Sequence, residues 1–312
     1  MAETVLPEKM LSESKKKRGS KIRATLENEV YFKWLLITPL LLALVVFMLY
    51  PTFYCIFMGF TDYILRDAPN FVGFDNYRKV LHDSVFWSAA GRTGLMVVTC
   101  IIVEITLGMA IAILLNREFK GQNIIRGLCF LPLLIMPLAM SMFWNYMLHA
   151  QFGIINQMLD WFGLDRILFF GKAKYALYTI MAIEIWRWLP FSIFVLLAGL
   201  KGLPKDQFEA ANVDGASAWY KFRTLTLPML KPLIIIIILL RTMWLIRTFD
   251  PLYGTTRAGN STELLDWMVY RVSFVFFDIG LGSALAIFSL FVTIIICAIL
   301  YRNLIKAMDQ GH

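Results

Sequence analysis

Several ionisable side chains of this sequence stand where apolar neighbours make charge costly. Glu104, Glu184, Arg187, Arg241 and Arg247 lie inside hydrophobic runs, and Asp250 lies at the end of one. In a membrane such groups face one another or a water-filled cavity, so each marks a place for a polar partner. Glu184 and Arg187 are three residues apart, which puts both on one helical face as an ion pair or as two contacts for a ligand. Arg247 and Asp250 share that spacing and suit pairing with each other or with water. Glu104, alone in its run, suits a bond to a neighbouring helix. Trp186, Trp188, Trp244 and Tyr253 add flat rings that stack on apolar ring faces, or pack. Trp34, Trp87 and Trp161 fit an interface belt, whereas Trp186 and Trp244 fall deeper. Met136, Met140, Met142, Met147 and Met181 suit helix packing. All this is the chemistry of recognition. For bond making there are only His82, His149 and His312, with no nucleophile arrangement. Cys55, Cys100, Cys129 and Cys297 sit in apolar runs without metal-ligand spacing, so no catalytic or metal site is expected.

A second constellation is polar and lies between two apolar runs. It reads Glu209-Ala210-Ala211-Asn212-Val213-Asp214-Gly215, and Leu225-Thr226-Leu227-Pro228 follows. Pro204 suits a helix start, Gly215 a left-handed helix end, and Ser217 the cap of a second short helix to about Arg223. Ala210 and Ala211 let another surface approach the backbone, and Glu209 offers that surface a carboxylate. This is the chemistry of docking.

The elements that must carry these residues are membrane spans. The chain has 312 residues, 59% hydrophobic and 17% charged, against about a quarter charged for a soluble domain. The apolar residues gather in runs of about twenty, the length that crosses ~30 Å of hydrocarbon. An isoleucine run such as 234–238 excludes the alternation of a membrane barrel. The expected fold is all-α and polytopic, with six spans near 34–57, 93–115, 128–148, 175–199, 229–249 and 283–301. Seventeen Lys and Arg flank one side of these spans and eight the other, which puts both termini in the cytoplasm. The net charge of +8 is thereby explained by orientation, not by nucleic acid. The first span is expected to be retained, because no small-residue cleavage site follows it. Residues 263–282 read as an amphipathic segment at the outer surface. The domains are a basic tail over 1–30 with Lys15–Arg18, a membrane domain over 31–303 and a short tail over 304–312. The tail reads as a mobile topogenic anchor for anionic lipid, with a partner-binding role as the alternative.

The 209–228 pattern is similar to the EAA loop of bacterial ABC-importer permeases: Glu-Ala-Ala, three residues, Gly, nine residues, Ile, one residue, Leu-Pro. Six of seven positions match, and Leu225 replaces the Ile. The chain resembles the carbohydrate branch of that family, which holds maltose, trehalose and glycerol-phosphate importer subunits. Other stretches share the likeness: Phe71-Val72-Gly73-Phe74-Asp75-Asn76-Tyr77, Trp186-Arg187 with Pro190-Phe191, Arg241-Thr242 with Phe249-Asp250 and Tyr253, and 227–232. The run 254–260 departs from the family's glycine-rich one.

The resemblance implies a non-catalytic permease of the inner membrane that moves a carbohydrate by alternating access. Its partners would be a second homologous permease, two ATPase subunits and a periplasmic or lipid-anchored sugar-binding protein. The coupling loop would span 201–228, with Glu209, Ala210, Ala211, Asp214, Gly215, Leu227 and Pro228 facing the ATPase. The pathway would take Glu184, Trp186, Arg187, Trp188, Arg241, Trp244, Arg247, Asp250 and Tyr253. No Gly-x-x-x-x-Gly-Lys-Ser/Thr loop is present, so ATP and Mg belong to the partner and no cofactor is expected here. A permease for another solute and a secondary carrier remain alternatives.

Overall fold

The structure, a computed structural model, describes residues 29–65, 68–259 and 261–309. The basic tail with Lys15–Arg18, as well as Asn260 and His312, lie outside the described residues. Regular structure among those described is helical, apart from isolated antiparallel bridges at Thr61–Phe71 and Ile64–Asp278.

The first span, α1 (Lys33–Met58), belongs up to Phe57 to a unit by itself. Its 26 residues, at about 1.5 Å each, are long enough to cross a bilayer core. One wide turn, Val45–Leu49, interrupts its regular ladder.

The second unit, from Met58 onward, holds the remaining helices. The short α2 (Asp75–His82) leads into α3 (Ser84–Leu115), which Asp83 caps by accepting the Val85 N–H. Next come α4 (Gln122–Leu134) and α5 (Pro137–Met147), then the short α6 (Ile154–Trp161) and the long α7 (Ala173–Lys201). The run expected to cross as one helix over 128–148 is broken, because α4 and α5 meet at 98°. Pro137 explains the break: it cannot extend a hydrogen-bond ladder, and it drives Met136 to ψ 132.

Beyond α7 lie α8 (Lys205–Val213), α9 (Ala218–Lys221) and α10 (Leu227–Ile246). The short helix expected near Ala218 does not end at Arg223. It passes through a wide turn, Phe222–Thr226, into α10, so Ala218–Ile246 is one rod of 29 residues. The wide turn precedes Pro228, whose missing N–H would interrupt a regular ladder. Then follow α11 (Asp250–Tyr253), α12 (Leu265–Tyr270) and α13 (Ile279–Asp309). The last helix runs six residues beyond the expected end of the membrane domain at 303.

Residues 263–282 do not lie flat as an amphipathic surface segment. Leu264, Leu265, Trp267, Met268 and Val272 are buried, while Phe274 to Phe277 are exposed. The Thr93 hydroxyl accepts the Leu265 N–H and Arg92 donates to the Glu263 carbonyl, which pins the segment to α3. The apolar residues of α12 face inward because α3 and α13 offer them a packed surface.

Two apolar layers hold α3, α7 and α10 together. One contains Met96, Cys100, Ile180, Met181, Leu245 and Trp267; the other contains Met109, Ala112, Ile193, Leu196, Leu230 and Ile237. In lipid the gain comes from close packing rather than from escape from water. Gly108 shows it: a Cβ there would stand 3.0 Å from the Ser192 Cβ. Of the methionines expected to pack, Met140 and Met181 are buried, but Met136 and Met142 are 67% and 58% exposed. Met136 caps the start of α5 and Met142 lies within it.

Candidate functional site

The polar loop folds as its sequence suggests. Pro204 precedes the first turn of α8. The helix ends in a Schellman motif: Ala216 N–H donates to the Ala211 carbonyl at 2.9 Å and Gly215 N–H to Asn212 at 3.1 Å. Gly215 stands at φ +72, the left-handed conformation that suits a residue without Cβ. Ser217 caps α9 by accepting the Tyr220 N–H at 3.2 Å. Lys221 donates to the Asn212 side chain and ties α9 back to α8. Glu209, Ala210, Asp214, Gly215, Leu227 and Pro228 are exposed, and Ala211 is half-buried. Val213, Trp219 and Tyr220 project beside them at 88%, 67% and 57% exposure. The pattern alone did not mark those three; their apolar type within a polar loop was the available signal. Behind them a cleft of about 1040 Å³ is lined by Ile113, Arg126, Leu203, Phe208 and Phe222.

The membrane charges converge between the two apolar layers. Arg241 on α10 is fully buried and meets Glu104 on α3 through Nε and Nη2, each at 2.6 Å. Its Nη1 lies 3.6 Å from Glu184 on α7, and Arg187 lies 3.8 Å from the same carboxylate. So the Glu184–Arg187 ion pair is present, but within a four-membered, charge-balanced network. Glu104 does bond a neighbouring helix. A lone buried charge here would cost several kcal/mol, which the compensating partners offset.

Aromatic rings continue the network. Trp188 lies 5.0 Å from the Arg187 guanidinium and 4.8 Å from that of Arg241. Trp188 stacks on Trp244 at 4.3 Å, and Phe191 meets Trp244 edge-on at 5.4 Å. Phe191 was missed as a site residue, although it lies three residues beyond Trp188 on the same helix face. Trp244 keeps 38% of its surface exposed.

Other residues expected with this group stand elsewhere. Trp186 packs edge-on against Trp144 at 5.3 Å, beside a separate cavity of about 430 Å³ with Tyr175 and Tyr178. Tyr253 joins Phe249, Trp267 and Tyr270. Arg247 is exposed, and among the described residues no ion pair links it to Asp250. Helix α10 ends at Ile246 and Arg247 turns to ψ 26, so the helical spacing that would join the two is lost. The Asp250 carbonyl instead accepts from Ser141 at 3.2 Å. Away from the spans, burial pushes the Glu263 carboxyl up in spite of Arg271 and Arg92 beside it. Among the described residues no cluster of His, Cys, Asp or Glu could hold a metal ion.

A bundle of long apolar helices around a neutralised charge layer, with an exposed helical loop at one end, defines a multi-pass membrane permease. Residues 104–310 match the family described as binding-protein-dependent transport system inner membrane component, and the chain belongs to that family. It is 31% identical over 280 residues to the trehalose/maltose transport system permease protein MalF of Thermococcus litoralis, covering 88% of this chain and 93% of that one. It is 30% identical to the sulfoquinovosyl glycerol transport system permease protein SmoG of Agrobacterium fabrum, covering 88% and 90%. The fold is also that of a crystallised bacterial ABC transporter involved in import of the acidic polysaccharide alginate. That likeness has a TM-score of 0.77 at 20% identity and covers 92% of this chain and 99% of the other.

Proposed function

We propose that this chain is the transmembrane subunit through which an ATP-driven, binding-protein-dependent importer moves a carbohydrate across the inner membrane by alternating access. The observation that carries the reading is the Schellman-closed helix 205–213, which turns Glu209, Ala210 and an apolar ridge outward as a ready docking face. The carbohydrate follows from the relatives, whose names specify trehalose, maltose and a sulfoquinovosyl glycoside. The Trp188–Trp244 wall supports it, because pyranose C–H faces are apolar and their rims polar. Glu184 and Arg187 supply the polar side of the same pathway, Arg241 stays buried and acts on it through Trp188, and Asp250 adds charge at its edge.

On this reading two ATPase subunits supply ATP and Mg, one of them seated on residues 201–228. A second, homologous permease completes the pathway, and a sugar-binding protein delivers from outside. The chain itself binds no cofactor and catalyses no reaction, and both termini lie in the cytoplasm. The test is purification through a tag on this chain from cells that express its partners. Two ATPase subunits should be retained, and sugar-loaded binding protein should stimulate hydrolysis. A chain that purifies alone and drives uptake into liposomes from an ion gradient without ATP would be a secondary carrier instead.

A further inference from the structure

Arg241 treats its two acidic neighbours unequally. Nε and Nη2 make a two-pronged fork onto Glu104, both bonds at 2.6 Å. Glu184 stands off at 3.6 Å from Nη1, a buried nitrogen without a hydrogen-bond partner among the described residues. The fork therefore fixes the guanidinium plane from α3. The same guanidinium lies 4.8 Å from the centre of Trp188, which stacks on Trp244 at 4.3 Å and 23°. Trp244 is three residues beyond Arg241 on α10, and Trp188 is four beyond Glu184 on α7. One link between α3 and α10 thus sets the ring of α7. One turn deeper, Gly108 and Ser192 bring α3 and α7 into close contact, which holds the register of that arrangement.

We propose that the Glu104–Arg241 fork is a positioning device for the transported solute. It holds Trp188 against Trp244 so that the two indoles meet a sugar as one preformed wall, while neither Glu104 nor Arg241 touches the sugar. A wall already ordered loses little side-chain freedom on binding, so the fork contributes affinity at a distance. This inference rests on the carbohydrate reading above.

The test is a double-mutant cycle on the full importer complex in proteoliposomes. The probe is whichever of trehalose, maltose or an alginate oligosaccharide the wild-type complex takes up. Glu104→Gln keeps the shape but turns one acceptor into a donor that faces the fork. It should raise KM about tenfold with kcat held within about twofold, the scale of a desolvated cation–aromatic contact. In a Trp188→Ala background the same change should add nothing, because the ring it positions is gone. Arg241→Lys, which cannot make the fork, should match Glu104→Gln, and the exchange Glu104→Arg with Arg241→Glu should recover KM at least in part. Equal losses from Glu104→Gln in both backgrounds, or a loss confined to kcat, would overturn the positioning role. Wild-type KM in Trp188→Ala and Trp244→Ala would overturn both the positioning role and the aromatic wall, whereas a complex that takes up none of the three sugars and yields no sugar-stimulated hydrolysis would sink the carbohydrate reading and this inference with it.

Discussion

Replacing Gly215 with valine probes how the proposed coupling loop is held. The residue stands at φ +72, and a Cβ placed there meets no heavy atom within 4 Å. The Cβ itself thus meets no collision, and the leading effect is backbone strain. A β-branched residue in the left-handed region is strained by about 1–3 kcal/mol. At 1.4 kcal/mol per factor of ten, that is a shift of roughly 5- to 150-fold against the native turn. The helix that the turn closes has only nine residues. Isolated helices shorter than about 12–15 residues are marginal, so strain of this size rivals what keeps α8 formed. Relieving it by rotation would break the Ala216–Ala211 and Gly215–Asn212 bonds and displace the Ser217 cap. Gly215→Val should thus insert normally yet lose about tenfold or more of the uptake and of the hydrolysis stimulated by loaded binding protein. Gly215→Ala should lose about half of that free energy, and Gly215→Asn, which tolerates positive φ, should stay near wild type. The assay is uptake, ATPase retention and stimulated hydrolysis in reconstituted complexes. Equal behaviour of the valine and asparagine variants, whether both active or both dead, would refute the argument from φ.

Four further outcomes are expected. Glu209→Lys reverses the charge offered on the exposed face of α8 and should weaken retention of the ATPase, measured by pull-down, without changing membrane insertion. A cysteine at Ser217 should react with an impermeant thiol reagent only from the cytoplasm and one at Asn70 only from outside; the opposite pattern would overturn the orientation. Trp244→Ala should lower uptake by a factor matching about 1–3 kcal/mol of lost stacking, with the complex recovered in normal yield. Gly254→Val would drive a side chain into Ser141, so it should lower the thermal midpoint of the complex and separate α11 from α5.

The sequence made the fold of the 204–217 loop legible in detail because its signals are local. A proline before the helix, a glycine after it and a serine two residues on each act through their own backbone. The network around Arg241 was legible only by halves. Glu104 and Arg241 were each conspicuous as charges in apolar runs, but 137 residues separate them, and nothing local pairs them. Trp186 was legible in the same partial way. Depth in the span was readable, but helix rotation was not, and two residues of rotation send Trp186 to Trp144 while Trp188 joins Arg241. The break in the third span was written in Pro137, yet apolar composition over 128–148 masked it. The inward fold of 263–282 needed the faces of α3 and α13, which no local pattern supplies.

The neutral charge layer also constrains how the chain enters its membrane. Glu104 is synthesised long before Arg241 and must wait through α4 to α9 for its partner. An arginine near the middle of a lone span disfavours insertion by roughly 2.5–3.5 kcal/mol, and an acidic residue by a similar amount. Both Ser84–Leu115 and Ala218–Ile246 remain long and apolar enough to cross a membrane with these charges included. The two halves of the ion pair are then neutralised only when the helices meet. A chain that stops before α10 therefore lacks the arginine that meets Glu104 through both Nε and Nη2, and the charge layer stays incomplete until Arg241 arrives.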